Sequence, residues 1–256
     1  MMFKLIRELS FIGRIVGELS HYLIVFFLML SKPSIGQELN TYFINYEASA
    51  GLATASATRS FSKIATSSYE LMNTIEVSIA TQSIMSVTER SKIISSDSQR
   101  LIPLSYSMRQ TGYRDESKNI EFDWVQSIAT ITTAEQSQKV IIKDTIFDKL
   151  SHQINIHKNI KNNTNQISFD IIDESGIQEY QYIVLGNEDI ETPLGRFPSI
   201  KIERTLPKNT SRSVIFWLSS EWEGVLLKMY QVINDAITIT LEIKAGRVNG
   251  KSISGK

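Results

Sequence analysis

The chain has no cysteine. A domain without thiols has no disulfide framework and no thiol catalysis, so its stability must come from a core and a hydrogen-bond ladder. Histidine is almost as scarce, with three in 256 residues. His21 falls in the N-terminal segment, and His152 and His157 are five apart, which does not put two ligands on one helix face as an i, i+4 metal pair requires. Both are expected at a surface or an interface. There is no basic excess: Lys and Arg number 27, as do Asp and Glu. With no cationic surplus to attract phosphate backbones, nucleic acid is not an expected partner. No G-x-S-x-G elbow presents a serine nucleophile, and none of Gly186, Gly195 or Gly224 opens a helix after a strand as a phosphate-cradling loop must. No metal or other cofactor is expected.

A long apolar run is also missing. The longest is Tyr22-Leu23-Ile24-Val25-Phe26-Phe27-Leu28-Met29-Leu30. As a helix, nine residues span about 14 Å, roughly half of a bilayer's hydrocarbon core. Lys4, Arg7 and Arg14 precede the run, Ser31, Lys32 and Pro33 close it, and Ser34 and Gly36 are small residues two apart. That is the pattern of a cleavable signal peptide, with cleavage expected after Gly36. An uncleaved signal anchor and a buried core helix are the competing readings. No cysteine follows the run, so a lipoprotein is excluded. Residues 1–36 hold four basic and two acidic residues, which leaves the remainder with a formal charge of −2. The expected organisation is a signal peptide over 1–36, one domain over 37–245 and a frayed Gly-, Ser- and Lys-rich tail over 246–256. The expected location is periplasmic, with membrane contact only during export or peripherally.

The remainder is rich in Ile, Val, Thr, Tyr, Phe and Ser, residues that suit a pleated, half-buried surface. Its apolar period is often two. Leu71, Ile75, Val77 and Ile79 share one strand face and Met72, Thr74, Glu76 and Ser78 the other, while Tyr42, Ile44 and Tyr46 alternate in the first strand. Turn residues recur every 8 to 15 positions or so, including Gly112, Asp173-Glu174-Ser175-Gly176, Gly186-Asn187, Pro207-Lys208-Asn209 and Asn234-Asp235. No strand–helix alternation suggests a parallel sheet. One stretch, Thr145 to Ile160, carries apolar residues three and four apart. It reads as a single amphipathic helix capped by Asp144 or Thr145 and ended near Asn162-Asn163. The expected fold is all-β with one helix, a strongly curved antiparallel sheet or half-open barrel, with that helix packed near Asp148.

Acidic residues cluster at Asp173-Glu174, Glu188 to Glu191 and Glu221-Trp222-Glu223. Paired carboxylates serve glycosidases when held about 5–9 Å apart, but these clusters fall in predicted turns. The aromatic set offers two readings. Tyr42, Tyr46, Phe122, Trp124, Tyr182 and Trp217 either fill a core or face a ligand cavity enclosed by a curved sheet.

Several motifs resemble a family of exported bacterial proteins, domain of unknown function 3108. They are Leu101-Ile102-Pro103-Leu104-Ser105-Tyr106, Asn119 to Trp124, Asp148-Lys149-Leu150-Ser151 and, above all, Gly186-Asn187-Glu188-Asp189-Ile190-Glu191-Thr192-Pro193-Leu194-Gly195. Ile200-Lys201-Ile202-Glu203-Arg204 and Val214-Ile215-Phe216-Trp217-Leu218 follow in the family's order. One departure is Val225-Leu226-Leu227-Lys228, where family members often have a proline. The resemblance spans roughly residues 40–245. It implies an exported antiparallel β fold with a family-like turn at Gly186, Glu188, Thr192, Pro193 and Gly195 and a basic strand end at Arg204, and it brings no catalytic residues. Within the turn, Pro193 presets φ and Gly195 tolerates positive φ, so Thr192 to Gly195 reads as a hairpin flanked by a Glu191–Arg196 surface pair. The functional expectation is a non-enzymatic binding or carrier module for an apolar, lipid-like or envelope-derived ligand. The alternatives are an envelope scaffold acting through an envelope protein partner and, more remotely, a carboxylate-dependent glycan hydrolase.

Overall fold

The computed structural model describes residues 39–256 apart from 51–52, 80–81, 97–99, 161–164, 207–212 and 235–236. The expected signal peptide over 1–36 and the helix end at Asn162-Asn163 lie outside the described residues, as does the turn at Pro207-Lys208-Asn209. The first half of the domain is a meander of eight strands: β1 (Tyr42–Ala50), β2 (Ala53–Lys63), β3 (Ser68–Ile79), β4 (Gln82–Ser95), β5 (Leu101–Gly112), β6 (Glu116–Asp123), β7 (Ile128–Thr133) and β8 (Ser137–Ile141). A short strand β9 (Ile146–Phe147) and a helix α1 (Ser151–Ile160) follow. The second half is β10 (Gln166–Asp173), β11 (Gly176–Thr192), β12 (Gly195–Thr205), β13 (Ser213–Ser219), β14 (Leu226–Asn234), β15 (Ile237–Val248) and β16 (Lys251–Ser252).

All of them join one sheet, in the order β8 through β1, then β15 back through β9, with β16 on β15. Pairing is antiparallel throughout except between β9 and β10. The two meanders meet where β1 pairs β15, from Tyr42 opposite Val248 to Ser49 opposite Thr240. The sheet is curved and unclosed, as expected from the strand pattern. How strongly it curls follows from a spacing argument. Eight strand intervals separate β4 from β11, roughly 38 Å in a flat sheet at ~4.8 Å each, yet Glu89 of β4 and Tyr180 of β11 line one cavity.

Three local expectations are corrected by the structure. Gly186-Asn187 is not a turn: it sits inside the 17-residue β11, where the register slips between Val184 and Gly186 and Gly186 adopts φ +133°. This is a β-bulge, the other use a strand makes of glycine. The helix starts later than its apolar spacing suggests, because Ile146 and Phe147 pair in parallel with β10. The tail over 246–256 does not fray. β15 runs to Val248, Ile253 is 5% exposed, and Lys256 and Arg196 exchange two backbone hydrogen bonds of 2.9 and 3.1 Å. By contrast, Thr192 to Gly195 forms the expected hairpin, with Gly195 at φ +111° and Thr192 Oγ1 accepting from the Leu194 N–H. Arg196 lies 3.9 Å from Glu191 and 3.2 Å from Asp189.

The chain has to travel from the β8 margin to the opposite margin at β10, and β9 with α1 makes that crossing. Asp148 anchors it. Its carboxylate accepts from the Leu150 and Ser151 N–H groups at 2.8 and 2.9 Å, while Ser151 Oγ accepts from the Asp148 N–H at 3.0 Å. This is a reciprocal capping box one turn ahead of the regular helix. The other carboxylate oxygen receives Ser91 Oγ–H from β4 at 2.6 Å. Asp148 and Ser91 are both fully buried. Burial pushes the Asp148 pKa up, and these hydrogen bonds oppose the rise. Around the anchor, Leu150, Ile142 and Ile146 of the crossing pack with Phe61, Leu71, Ile120 and Ile131 of the first meander and Ile172 of the second. Beside this core the two sheet margins meet without a ladder. Glu174, in the β10–β11 turn, takes Lys118 of β6 and Lys149 at 2.9 Å each, and its carbonyl accepts from Gln138 of β8. Partial burial would raise the Glu174 pKa, but the two lysines outweigh it and hold the carboxyl at about 2.

Replacing Asp148 by Ala strands buried donors on two elements and removes a helix cap, so Asp148→Ala should cost about 2–4 kcal/mol of stability. The exposed Asp144→Ala should stay within about 0.5 kcal/mol of the parent. Urea unfolding midpoints of the two variants check this, and equal midpoints would remove the anchor role.

Candidate functional site, an apolar cavity with two inward-facing arginines

Alternation along β1, β2 and β3 decides what the concave side presents. On β1 it is Tyr42, Ile44, Tyr46 and Ala48; on β2 Ala55, Ala57 and Arg59; on β3 Asn73, Ile75 and Val77. The alanines are the reason the interior is not filled. Ala48 pairs with Ala55, and Tyr46 with Ala57, at the middle of the sheet, where leucines would meet the opposite wall. The result is a partly open cavity of about 620 Å³. That size lies within the usual range of small-molecule sites, about 300–1,000 Å³. Phe216, Leu218, Leu226, Met229 and Leu241 supply the facing wall, and α1 covers one part of it with His152, Gln153, Ile156 and His157. His157 is held close to the loop after β13: a Cβ at Gly224, which adopts φ +72°, would lie 2.4 Å from the histidine's own Cβ, so only glycine fits there.

Charge enters this apolar space at two places. One is a row across adjacent strands, in which Ile44 pairs Arg59, Arg59 pairs Asn73 and Asn73 pairs Glu89. Arg59 donates to the Tyr42 hydroxyl at 3.2 Å and to Gln153 Oε1 of α1 at 2.5 Å. Glu89 receives the Tyr106 O–H at 2.6 Å and Asn73 Nδ2 at 3.5 Å. The other is Arg204 of β12, opposite Tyr182 of β11. Its guanidinium stacks 3.5 Å from the Tyr180 ring centroid, and its Nε is buried without a hydrogen-bond partner among the described residues. The Tyr46 hydroxyl and Asn73 Oδ1 are likewise buried and unpartnered.

His152 lies between these groups. Its Nδ1–H donates to the Asp148 carbonyl at 3.2 Å, so Nε2 is the acceptor for the Tyr182 O–H at 2.8 Å. This fixes one neutral tautomer. Burial, with Arg204 and Arg59 nearby, lowers the His152 pKa to about 3. Of the two expected places, surface or interface, both histidines take the interface of α1 with the sheet: His152 is 2% and His157 8% exposed.

The residues singled out in the sequence divide three ways. Tyr42, Tyr46, Tyr182 and Arg204 line the cavity. Phe122 and Trp124 do not. They stack on each other at 5.7 Å within the core beneath the crossing, and Trp124 donates to the Pro103 carbonyl at 2.7 Å. Trp217 alternates with the cavity-lining Phe216 and Leu218 and points to the other face of the sheet, where its Nε1–H reaches Glu188 Oε1 at 2.5 Å under the Lys201 ammonium. Glu188 also pairs Lys201 at 3.2 Å, and these two contacts hold its pKa below the usual carboxylate range. Most of the family-like turn is thus structural: Gly186 makes the bulge, Glu188 clasps Trp217, and Thr192, Pro193 and Gly195 make the hairpin. The acidic clusters are engaged by cations, with Asp173 and Glu174 on Lys149, Asp189 and Glu191 on Arg196, and Glu221 4.0 Å from Lys256. Among the described residues, no group of three or more His, Asp or Glu is placed to hold a metal. Sequence reasoning missed Arg59, Asn73 and Glu89. The signal was present as parity, because Arg59 shares its strand face with Ala55, Ala57 and Phe61.

The family model for proteins of unknown function, number 3108, matches residues 41–242. The chain belongs to this family. The match opens one residue before Tyr42 and closes one after Leu241, the first and last residues that line the cavity. Among solved structures, the chain is similar to a β-barrel-like protein of domain of unknown function 1849 from Brucella abortus. The TM-score is 0.56 at 10% identity, over 82% of this chain and 98% of that one. That likeness concerns the fold. The hypothetical protein CT021 from Chlamydia trachomatis aligns at 9% identity with a TM-score of 0.31, over 87% and 94% of the two chains. A search of curated proteins finds no match. No helix among the described residues is long and apolar enough to cross a membrane.

The His152 environment gives this member of the 3108 family a pH dependence. Between pH 6.5 and about 3 the unfolded chain binds a proton that the folded chain refuses, so this group's contribution falls as pH falls. The difference in unfolding free energy between the parent and His152→Gln, measured across that window, should shrink steadily towards acid. A constant difference would mean that His152 titrates normally.

Proposed function

We propose that this protein is a non-enzymatic binding or carrier module of the cell envelope, holding an apolar or amphiphilic ligand in the concave side of its sheet. The observation that carries the reading is the cavity of about 620 Å³, walled mainly by alanine, isoleucine, valine, leucine, methionine and aromatic side chains. A curved sheet of this size has enough apolar residues to fill its own interior, and small residues at Ala48, Ala55 and Ala57 keep it open instead. The basic and apolar N-terminal segment supports export, and the absence of cysteine suits a ligand site without redox chemistry.

A second reading, assembly with another envelope protein, is favoured by the β8 margin. Among the described residues that strand pairs β7 alone, and Ile141 on it is 82% exposed. A free edge of this kind is a template for strand addition.

The cavity reading is tested by filling the space. Ala57→Phe projects a ring into the cavity, whereas Thr54→Phe places the same ring on the exposed face of the same strand. Ala57→Phe should weaken binding of a neutral solvatochromic dye such as Nile red about tenfold or more, and Thr54→Phe should leave it within about twofold. Native mass spectrometry of protein purified without detergent should show an extra mass that extracts into organic solvent. Equal dye affinities for both variants, together with a clean apo mass, would move the weight to the edge-strand reading and to crosslinking at Ile141.

A further inference from the structure

We infer that the ligand is an amphiphile with a single acidic head group, a carboxylate or a phosphate on an acyl chain. Arg204 and Arg59 hold the head beside α1, and the tail lies along the strip formed by Ala48, Ala55, Val77, Met85 and Leu241. The inference rests on the carrier reading of the cavity and specifies its ligand.

Two half-buried guanidinium groups face the apolar lining. A guanidinium taken from water into an apolar interior is costly unless it is paired and its donors are satisfied. Neither arginine forms an ion pair among the described residues, and the one carboxylate acting on Arg59 is Glu89, two strands along and at longer range. Arg59 makes two neutral hydrogen bonds, to Tyr42 and Gln153. Arg204 has only the π-face of Tyr180, and its Nε–H is orphaned. The anions that share the lining are Glu89, already engaged by Tyr106 and Asn73, and Glu223. Lys149 also reaches the cavity but is committed to Glu174 and Asp173.

The remaining orphan groups suit an oxyanion. The Tyr46 hydroxyl is buried and unpartnered, the Tyr46–Ala57 pair is the next one after Ile44–Arg59 on the same face, and Tyr46 and Arg59 both line the cavity. Arg204 Nε–H and the Tyr46 O–H are therefore unused donors in one partly enclosed space, and an acidic head group would accept from them and neutralise a guanidinium. Both arginines lead to the helix: Arg59 donates to Gln153 of α1, and Arg204 pairs across the ladder with Tyr182, whose hydroxyl meets His152 of α1. This places the polar end of the cavity beside the helix. Away from it the lining is Ala48, Ala55, Ile75, Val77, Met85, Ile239 and Leu241, towards the hairpins that join β1 to β2 and β3 to β4. A small free anion would leave that apolar strip unused, and a neutral lipid would leave the donors unpaired.

The test compares ligands of one chain length on the full protein: dodecanoate, dodecyl phosphate and dodecanol, with inorganic phosphate and acetate as controls that lack the long chain. Affinities are read by displacement of Nile red at neutral pH. Dodecanoate or dodecyl phosphate should bind at least about tenfold more tightly than dodecanol, and the small anions without a chain should not displace the dye. The stronger of the two chains identifies the head group. Arg204→Gln and Arg59→Gln should each bring the acid close to the alcohol, and far-UV circular dichroism and urea midpoints report that the variants are folded. Equal affinity for acid and alcohol in the parent overturns the acidic head group and leaves the carrier reading standing. Phosphate binding as tightly as dodecyl phosphate overturns the amphiphile in favour of a small-anion site. Failure of every acyl compound and of the dye overturns both readings.

Discussion

A meander that has reached its edge at β8 and resumes on the opposite margin at β10 needs a segment to cross between them, and in this protein a buried carboxylate holds that segment down. Asp148 ties the crossing to β4 through Ser91 and at the same time caps the turn that leads into α1. Because the crossing is pinned there, α1 lies against the cavity, and the two sheet margins come close enough for Glu174 to meet Lys118 and Lys149. Without the crossing, the curl of the sheet would have nothing to close upon. A carboxylate is a demanding choice for a dry site, since it is tolerated only when its hydrogen bonds are made. That demand makes it specific: one position of the helix satisfies Ser91, Leu150 and Ser151 together.

The same contrast between filled and unfilled interior separates the two ends of the domain. Beneath the crossing, Phe61, Tyr69, Leu71, Phe122 and Ile131 pack into a continuous core. Higher along the same strands the inward positions become alanine, arginine, asparagine and glutamate, and packing gives way to space. Polar atoms left unpaired at Tyr46, Asn73 and Arg204 occur in this space. Consistent local rules are broken where a protein has a use for the exception. In a 3108-family domain whose outer acidic residues are matched by lysine and arginine, the inner arginines stand apart.

Much of this was legible from residue order. Strand after strand of period-two alternation, turn residues at short intervals and one stretch of helical period lead to an antiparallel, curved, all-β domain with a single helix. Tyr42, Tyr46 and Tyr182 were recognisable as inward-facing. The misreadings share a cause. Gly186 reads as a turn in the sequence because glycine tolerates positive φ in turns and bulges alike, and only strand partners distinguish them. Ile146 and Phe147 continue the apolar spacing of α1, yet parallel pairing with β10 claims them first. The tail looked too polar and small to order, but it pairs with the start of β12 and buries Ile253.

What the sequence determined by itself is what is local: which residues alternate, where hairpins turn, which segment is amphipathic, and the absence of thiol chemistry that follows from having no cysteine. Parity even places Arg59 and Arg204 on the apolar faces of their strands. What only the tertiary structure decided is which face becomes concave, that β1 pairs with β15 some two hundred residues away, and that those two arginines share one cavity with His152. Alternation has a period of two and carries no information beyond its own strand. Curl, closure and the meeting of distant side chains depend on accumulated twist and on one buried anchor, and neither is written in any single stretch of the chain.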